Sequence, residues 1–187
     1  FAEQSAVTGR LAHFAYVSTA YVCGAQTGVI SENDGASPHQ FSNRYEQSKW
    51  ECEQAVRSVM TRIPATIFRP SIIVGDSMSG RTNAFKALYA PLRLIVRDLI
   101  RSMPSGNAPL DVVPVDYVSR AICHVLLSGR GCGSTLHLTA GAARSSSAAE
   151  IAMHARMAAG LGIPTSPVTL ASSAANPASA TARVTAQ

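Results

Sequence analysis

Apolar and polar positions alternate in blocks along this chain, and the blocks fall into two periods. Phe14-Ala15-Tyr16-Val17 is a short apolar run that ends in the hydroxyls Ser18 and Thr19. That pattern predicts a fully buried parallel strand with polar groups at its carboxyl end. Ala65 to Pro70 predicts a second such strand, continued by Ser71 to Asp76, and Leu110–Val115 and Thr135–Thr139 are also extended. Between them the period changes to that of a helix. Cys52, Ala55, Val56, Val59 and Met60 recur at i, i+3, i+4, i+7 and i+8, which predicts a helix over about 43–62 with those residues as its buried stripe. Asn43 is its expected N-cap, Glu46 completes a capping-box-like pattern, and Ile63 before Pro64 ends it. Residues 1–12 read as the end of a helix. A helical pattern over Asn83–Arg101 is interrupted at Pro91, which should kink or split it. Asp116 is expected to cap a helix through Val118, Ala121, Ile122, Val125 and Leu126, and Ser147 with Glu150 forms a capping box for a last helix reaching about Gly160. Residues 25–42 and 75–84 are loops, the second expected to face substrate, and Val168–Leu170 is a further short strand. From Ala171 the Ala/Ser/Thr-rich composition predicts a disordered linker, so the folded unit is expected over 1–170 and a low-complexity tail over 171–187. Strands alternating with helices predict an α/β fold, in which ligands bind at the carboxyl ends of the strands.

Composition narrows the class. The 187 residues are 47% hydrophobic and 14% charged, which suits one globular domain with a sizeable core. There is no run of eighteen apolar residues, so no membrane span is expected. Phe1-Ala2-Glu3-Gln4 lacks the charged and apolar regions of a signal peptide and lacks an initiator Met, so the sequence reads as an excerpt of a longer chain. The four cysteines show no Cys-x-x-Cys spacing and read as reduced core thiols, which suits a cytoplasmic protein without a zinc site. Cys23 lies near the candidate site, but nothing nearby would activate it as a nucleophile. The net charge is +5, yet the 16 Lys and Arg are scattered without interleaved aromatics, so nucleic acid is not an expected partner. Arg93, Arg97 and Arg101 fall at i, i+4, i+8 opposite Leu92, Ile95, Val96 and Leu99. They read either as a solvated polar face or as a contact for carrier or coenzyme A phosphates. Gly129-Arg130-Gly131-Cys132-Gly133 follows a helix and precedes a strand, the reverse of a phosphate loop, and reads as a turn. The five histidines form no ligand pattern.

The chemistry centres on Tyr45 and Lys49, four residues apart and therefore on one face of their helix. A phenol beside an ammonium is a tunable proton donor, because the cation favours the phenolate. The bare pair is a weak signal, and its flanks strengthen it. In order along the chain stand Val17-Ser18-Thr19-Ala20-Tyr21-Val22-Cys23-Gly24, the Tyr45/Lys49 pair, Arg69-Pro70-Ser71-Ile72-Ile73-Val74-Gly75-Asp76-Ser77, and Val113-Pro114-Val115-Asp116-Tyr117-Val118. Together these resemble an extended short-chain dehydrogenase/reductase. Within that superfamily they are most similar to the fatty acyl-CoA reductase (male sterility) and thioester reductase branch.

The resemblance implies a Rossmann-like doubly wound parallel sheet with a small substrate-binding carboxyl-terminal portion. It implies NADPH as cofactor, with NADH left open, and an acyl-CoA or acyl carrier protein thioester as partner. Tyr45 would be the proton donor, and Lys49 would ease release of that proton and bind the nicotinamide ribose. Thr19, or its neighbour Ser18, would orient the substrate carbonyl, and Pro70, Ser71 and Ile72 would wall the nicotinamide. A nucleotide-sugar epimerase/dehydratase or a hydroxysteroid dehydrogenase would share this site, and a non-catalytic truncated remnant is the third reading. The family's glycine-rich dinucleotide loop precedes these motifs, and the sequence contains no such pattern after a strand. The resemblance therefore covers the carboxyl-terminal part of the domain. The expected consequences are an exposed apolar edge on the strand at 14–18, poor solubility, weak dinucleotide binding and little activity for the 187 residues alone.

Overall fold

The computed structural model describes residues 2–35, 40–83, 85, 88–101, 103, 108–162 and the backbone of 183–184. In chain order the elements are α1 (Ala2–Val7), β1 (Phe14–Val17), β2 (Val29–Ile30), α2 (Arg44–Val59), β3 (Ala65–Pro70), β4 (Ile72–Val74), α3 (Tyr89–Ile95), β5 (Pro109–Leu110), β6 (Val112–Pro114), α4 (Val115–Ser128), β7 (Thr135–Leu138), β8 (Ser146–Ser147), α5 (Ala148–Ala158) and β9 (Arg183–Val184). Short 3₁₀ turns cover Ala20–Cys23 and Ala142–Arg144.

The main sheet has the order β1-β3-β7 and is parallel throughout. β3 is its centre, with Phe14 opposite Ala65 on one side and Ile67 opposite Thr135 on the other. Parallel neighbours need crossovers, and α2 supplies the one from β1 to β3. This is the α/β arrangement that the alternation of periods implied, of the Rossmann-like kind that the resemblance implied. Two-stranded pairs flank it, β4 parallel to β6 and β5 antiparallel to β8, and β2 runs parallel to β9. Phe68, Leu138, Val113 and Val118 form the core between the sheet and α4. Leu88, Ile95, Met103, Ala148 and Ala152 form a second core between α3 and α5.

Several expectations are corrected. β3 is buried at every position, but β1 is only half-buried because it stands at an edge of the sheet among the described residues. The segment after Pro70 does not continue β3: it turns at Ser71 and pairs with β6 as a separate ladder. The buried face of α2 carries Glu46, Glu53 and Val56, while Cys52 and Ala55 are exposed. Of the expected apolar stripe, Val56 is buried and Val59 and Met60 are half-buried, and the inward face is rotated from Cys52 and Ala55 toward Glu53, a carboxylate with a buried partner. Cys123 and Cys132 are exposed as well, so Cys23 alone is a core thiol. Pro91 neither kinks nor splits a helix. It sits in the first turn of α3, where its missing N–H has no intrahelical partner to lose. That helix is much shorter than the pattern implied, since the chain leaves it through Asp98, whose φ of 56° lies in the left-handed region. Only Arg93 of the three stripe arginines is helical. Asp116 is not the cap of α4 but lies in its first turn, and the capping position is Pro114. Its carboxylate instead accepts from the Ser77 N–H and Oγ, both at 2.9 Å, which hold it below the usual carboxylate range.

The two expected caps and the glycine-rich turn hold. Asn43 caps α2, with its side chain accepting from Glu46 N, and Ser147 with Glu150 forms the full capping box of α5. Gly129–Gly133 is a turn, opened by Gly129 at φ 66°. The strand expected at Val168–Leu170 lies outside the described residues, as does the tail from Ala171 apart from the β9 backbone. No helix among the described residues is long and apolar enough to cross a membrane, and no group of metal-ligating side chains occurs among them.

Candidate functional site

The carboxyl ends of β1 and β3 and the first turns of α2 enclose a cleft of about 560 Å³. The candidate catalytic and nicotinamide-wall residues all line it: Ser18, Thr19, Tyr45, Lys49, Pro70, Ser71 and Ile72. Val17, Tyr21 and Ile73 complete the lining.

Each side chain is placed by backbone that the sequence dictates. β1 ends where Ser18 donates its N–H to Phe68 O at 2.7 Å, the last rung before the chain turns away. Thr19 then caps the 3₁₀ turn, its Oγ1 accepting from Tyr21 N at 3.3 Å. That bond uses a lone pair and leaves the Thr19 proton free to be donated. Ser71 is fixed by its N–H to Leu138 O at 3.1 Å. The Ser18 and Ser71 hydroxyls are buried without a hydrogen-bond partner among the described residues. Such groups cost free energy unless something completes them.

Tyr45 and Lys49 stand one helical turn apart on the rim. Tyr45 is 56% exposed. The Lys49 Nζ donates to the Val17 carbonyl at 3.1 Å and lies 5.5 Å from the centroid of the Tyr16 ring. Tyr21 is pushed up to about 12, by burial first and then by Asp111 and Glu46, so it stays a protonated phenol in the cleft wall. Burial holds the Cys23 thiol above its ordinary value despite Arg69 nearby, which agrees with its exclusion as a nucleophile.

The contact that fixes α2 against the sheet was not legible beforehand. Arg69 donates from Nε and Nη2 to the two carboxylate oxygens of Glu53 at 3.0 and 2.8 Å. Its Nη1 donates to Asp34 O at 3.1 Å, which ties down the loop before α2. His137 lies opposite Arg69 in the register, and burial pushes its imidazole below the ordinary value, toward the neutral form. Arg69 belongs to a recognised motif, but nothing in its spacing announces burial. The only signal was Glu53 falling one turn beyond Lys49.

The described residues of the 83–101 segment, with its arginine stripe, do not line this cleft. Phe85, Tyr89, Leu92, Arg93 and Val96 line a second, apolar groove of about 760 Å³ beside Ala155 of α5. The Gly75–Asn83 loop contributes no lining residue to the cleft either. Gly75 instead closes a tight turn in which an added Cβ would stand 2.7 Å from Gly80 O.

Comparison with known proteins bears on this geometry. The profile of an NAD-binding family described as male sterility protein matches residues 2–122. A nonribosomal peptide synthetase of Aspergillus flavus, asaC, is 32% identical over 151 residues, covering 71% of this chain and 14% of its own length. An aldehyde reductase of the same fungus, lnbA, is 32% identical over 144 residues with the same coverage. The chain thus spans 14% of the length of each of these curated relatives. Among solved structures, the terminal R domain from the myxalamid PKS-NRPS biosynthetic pathway matches with a TM-score of 0.68 and 33% identity, over 79% of this chain and 36% of that one. The profile covers well over half of the chain and contains the cleft, so the chain belongs to the male sterility family of NAD-binding domains, as its ordered motifs implied.

Proposed function

We propose that this chain is the chemistry-bearing part of an NAD(P)H-dependent reductase that converts an acyl thioester to an aldehyde or alcohol and a free thiol, working in the cytoplasm. The observation that carries the reading is the convergence of Thr19, Tyr45, Lys49 and the Pro70–Ile72 wall on one cleft. The donor set fits a nicotinamide riboside. Two buried hydroxyls without a partner among the described residues stand at the wall and an ammonium stands at the rim, while Pro70 and Ile72 offer apolar surface to a ring.

When bound, the nicotinamide supplies hydride to the carbonyl carbon. Thr19 donates its free proton to the carbonyl oxygen and so fixes which face is presented. A donor placed where oxyanion charge develops contributes about 2.7–4 kcal/mol. Tyr45 holds the proton that the oxygen takes up, and the Lys49 ammonium eases its release. The thioester C–S bond then breaks as the tetrahedral centre collapses, the hydroxyl giving up its proton as the carbonyl re-forms and the departing sulfur taking one up. One thioester, one NAD(P)H and one proton thus give one aldehyde, one thiol and NAD(P)⁺. Relatives named as peptide synthetases, and the likeness to a terminal R domain, favour a carrier-bound thioester over acyl-CoA. NADPH is the proposed coenzyme.

The test uses the full-length protein and follows coenzyme oxidation with a carrier-bound acyl thioester. Tyr45→Phe removes the proton and keeps the ring, so turnover should fall roughly 10²–10⁴-fold with an unchanged circular dichroism spectrum. Activity within a few-fold of wild type would exclude Tyr45 as the acid. Turnover of a nucleotide sugar, with thioesters untouched, would replace the reading by an epimerase or dehydratase.

A further inference from the structure

Lys49 is the one charged side chain of the cleft among the described residues, and its long stem leaves its head free to choose a position. Two contacts remove that choice. The Val17 carbonyl accepts from Nζ at 3.1 Å, and Nζ lies over the Tyr16 ring, 5.5 Å from its centroid. An ammonium within about 6 Å of an aromatic face is attracted by the ring quadrupole. Tyr16 and Val17 are successive residues of β1, so their side chains point to opposite faces of the sheet. One strand end therefore presents a ring and a carbonyl to the same cation. An ammonium has three N–H groups, and this arrangement leaves one for the cleft.

We propose that Tyr16 is a positioning residue, whose ring face and the adjoining Val17 carbonyl together hold the Lys49 ammonium at the mouth of the cleft. The inference rests on the reading of Lys49 as partner of Tyr45. The phenol of Tyr16 keeps its proton, because burial and then Cys52 raise it above its ordinary value. The attraction is thus to a neutral ring, which makes phenylalanine an adequate substitute and leucine an inadequate one.

The first measurement does not depend on activity. In full-length protein labelled with [ε-¹³C]lysine, the Lys49 ε-methylene, assigned by its loss in Lys49→Met, should be ring-current shifted upfield in wild type and Tyr16→Phe. It should return to the position of a free lysine in Tyr16→Leu. An identical position in all three overturns the contact. The second measurement is a double-mutant cycle on thioester turnover. Tyr16→Leu should lower kcat by about 2- to 30-fold, the factor to which a cation–π contact of this class converts, while Tyr16→Phe retains it. In the Lys49→Met background Tyr16→Leu should change nothing, because the group it acts through is gone. Equal losses in both backgrounds reduce Tyr16 to packing and overturn the positioning role alone. Wild-type rates in both Lys49→Met and Tyr45→Phe overturn the catalytic reading, and the positioning role with it.

Discussion

Arg69 and Glu53 are 1% and 0% exposed, and each is the other's only charged partner of full bidentate geometry among the described residues. Ion pairs this deep are costly to assemble and costlier to break, since removing Arg69 leaves the buried Glu53 only the longer contact to Arg57 at 3.5 Å. Arg69→Met should therefore destabilise the fold by about 3–5 kcal/mol, read from the denaturant midpoint, whereas Arg69→Met with Glu53→Leu should recover much of the loss. A double variant as unstable as Arg69→Met alone would show that packing, not the stranded carboxylate, sets the cost. The pair also marks the limit of what could be read at this scale. Tyr45 and Lys49 were picked out by type and spacing, Thr19 and Pro70–Ile72 by the resemblance, and all line the cleft. Tyr16, Tyr21 and the Glu53–Arg69 bond were not picked out, because their significance comes from neighbours on other elements.

Elements with a chemical punctuation mark were legible and those without one were not. Asn43 and Ser147 announced α2 and α5 through their caps. Two-residue strands such as β5 and β8 exist only as each other's partners, so no local pattern could reveal them. The turn after β4 shows how tightly an element end can be specified. Gly75 N–H donates to the Tyr89 hydroxyl at 2.8 Å, and its missing Cβ leaves room for Gly80 O and Arg81 O, which would lie 2.7 and 3.0 Å from it. The obstruction is backbone on both sides. Gly75→Ala should thus behave as an overpacked site and cost about 1–3 kcal/mol in thermal or chemical denaturation. Wild-type stability in that variant would mean that the turn re-forms without its close approach.

At the scale of the molecule, the proposed reading makes the cleft serve one end of a dinucleotide. On that reading the nicotinamide end would have its donors and its apolar wall, while these 187 residues contain no glycine-rich loop for a pyrophosphate. β1, the strand that carries Ser18 and Thr19, stands at a sheet edge among the described residues, with Val17 40% exposed. The 187 residues alone should accordingly bind NADPH weakly and tend to associate through that edge. A fluorescence titration and light scattering on the purified chain check both, and tight binding by a monodisperse sample would overturn them.

The buried acid–base bond between α2 and β3 also constrains how this chain can change over generations. A change of charge at position 53 or 69 alone leaves the partner in the interior without its bidentate mate, so a lone change carries a stability cost that a paired change avoids. The helix that presents Tyr45 and Lys49 stays seated only by the paired route. Selection for a new substrate can remodel the loops and grooves around the cleft while the angle at which that helix meets the sheet is handed down unaltered.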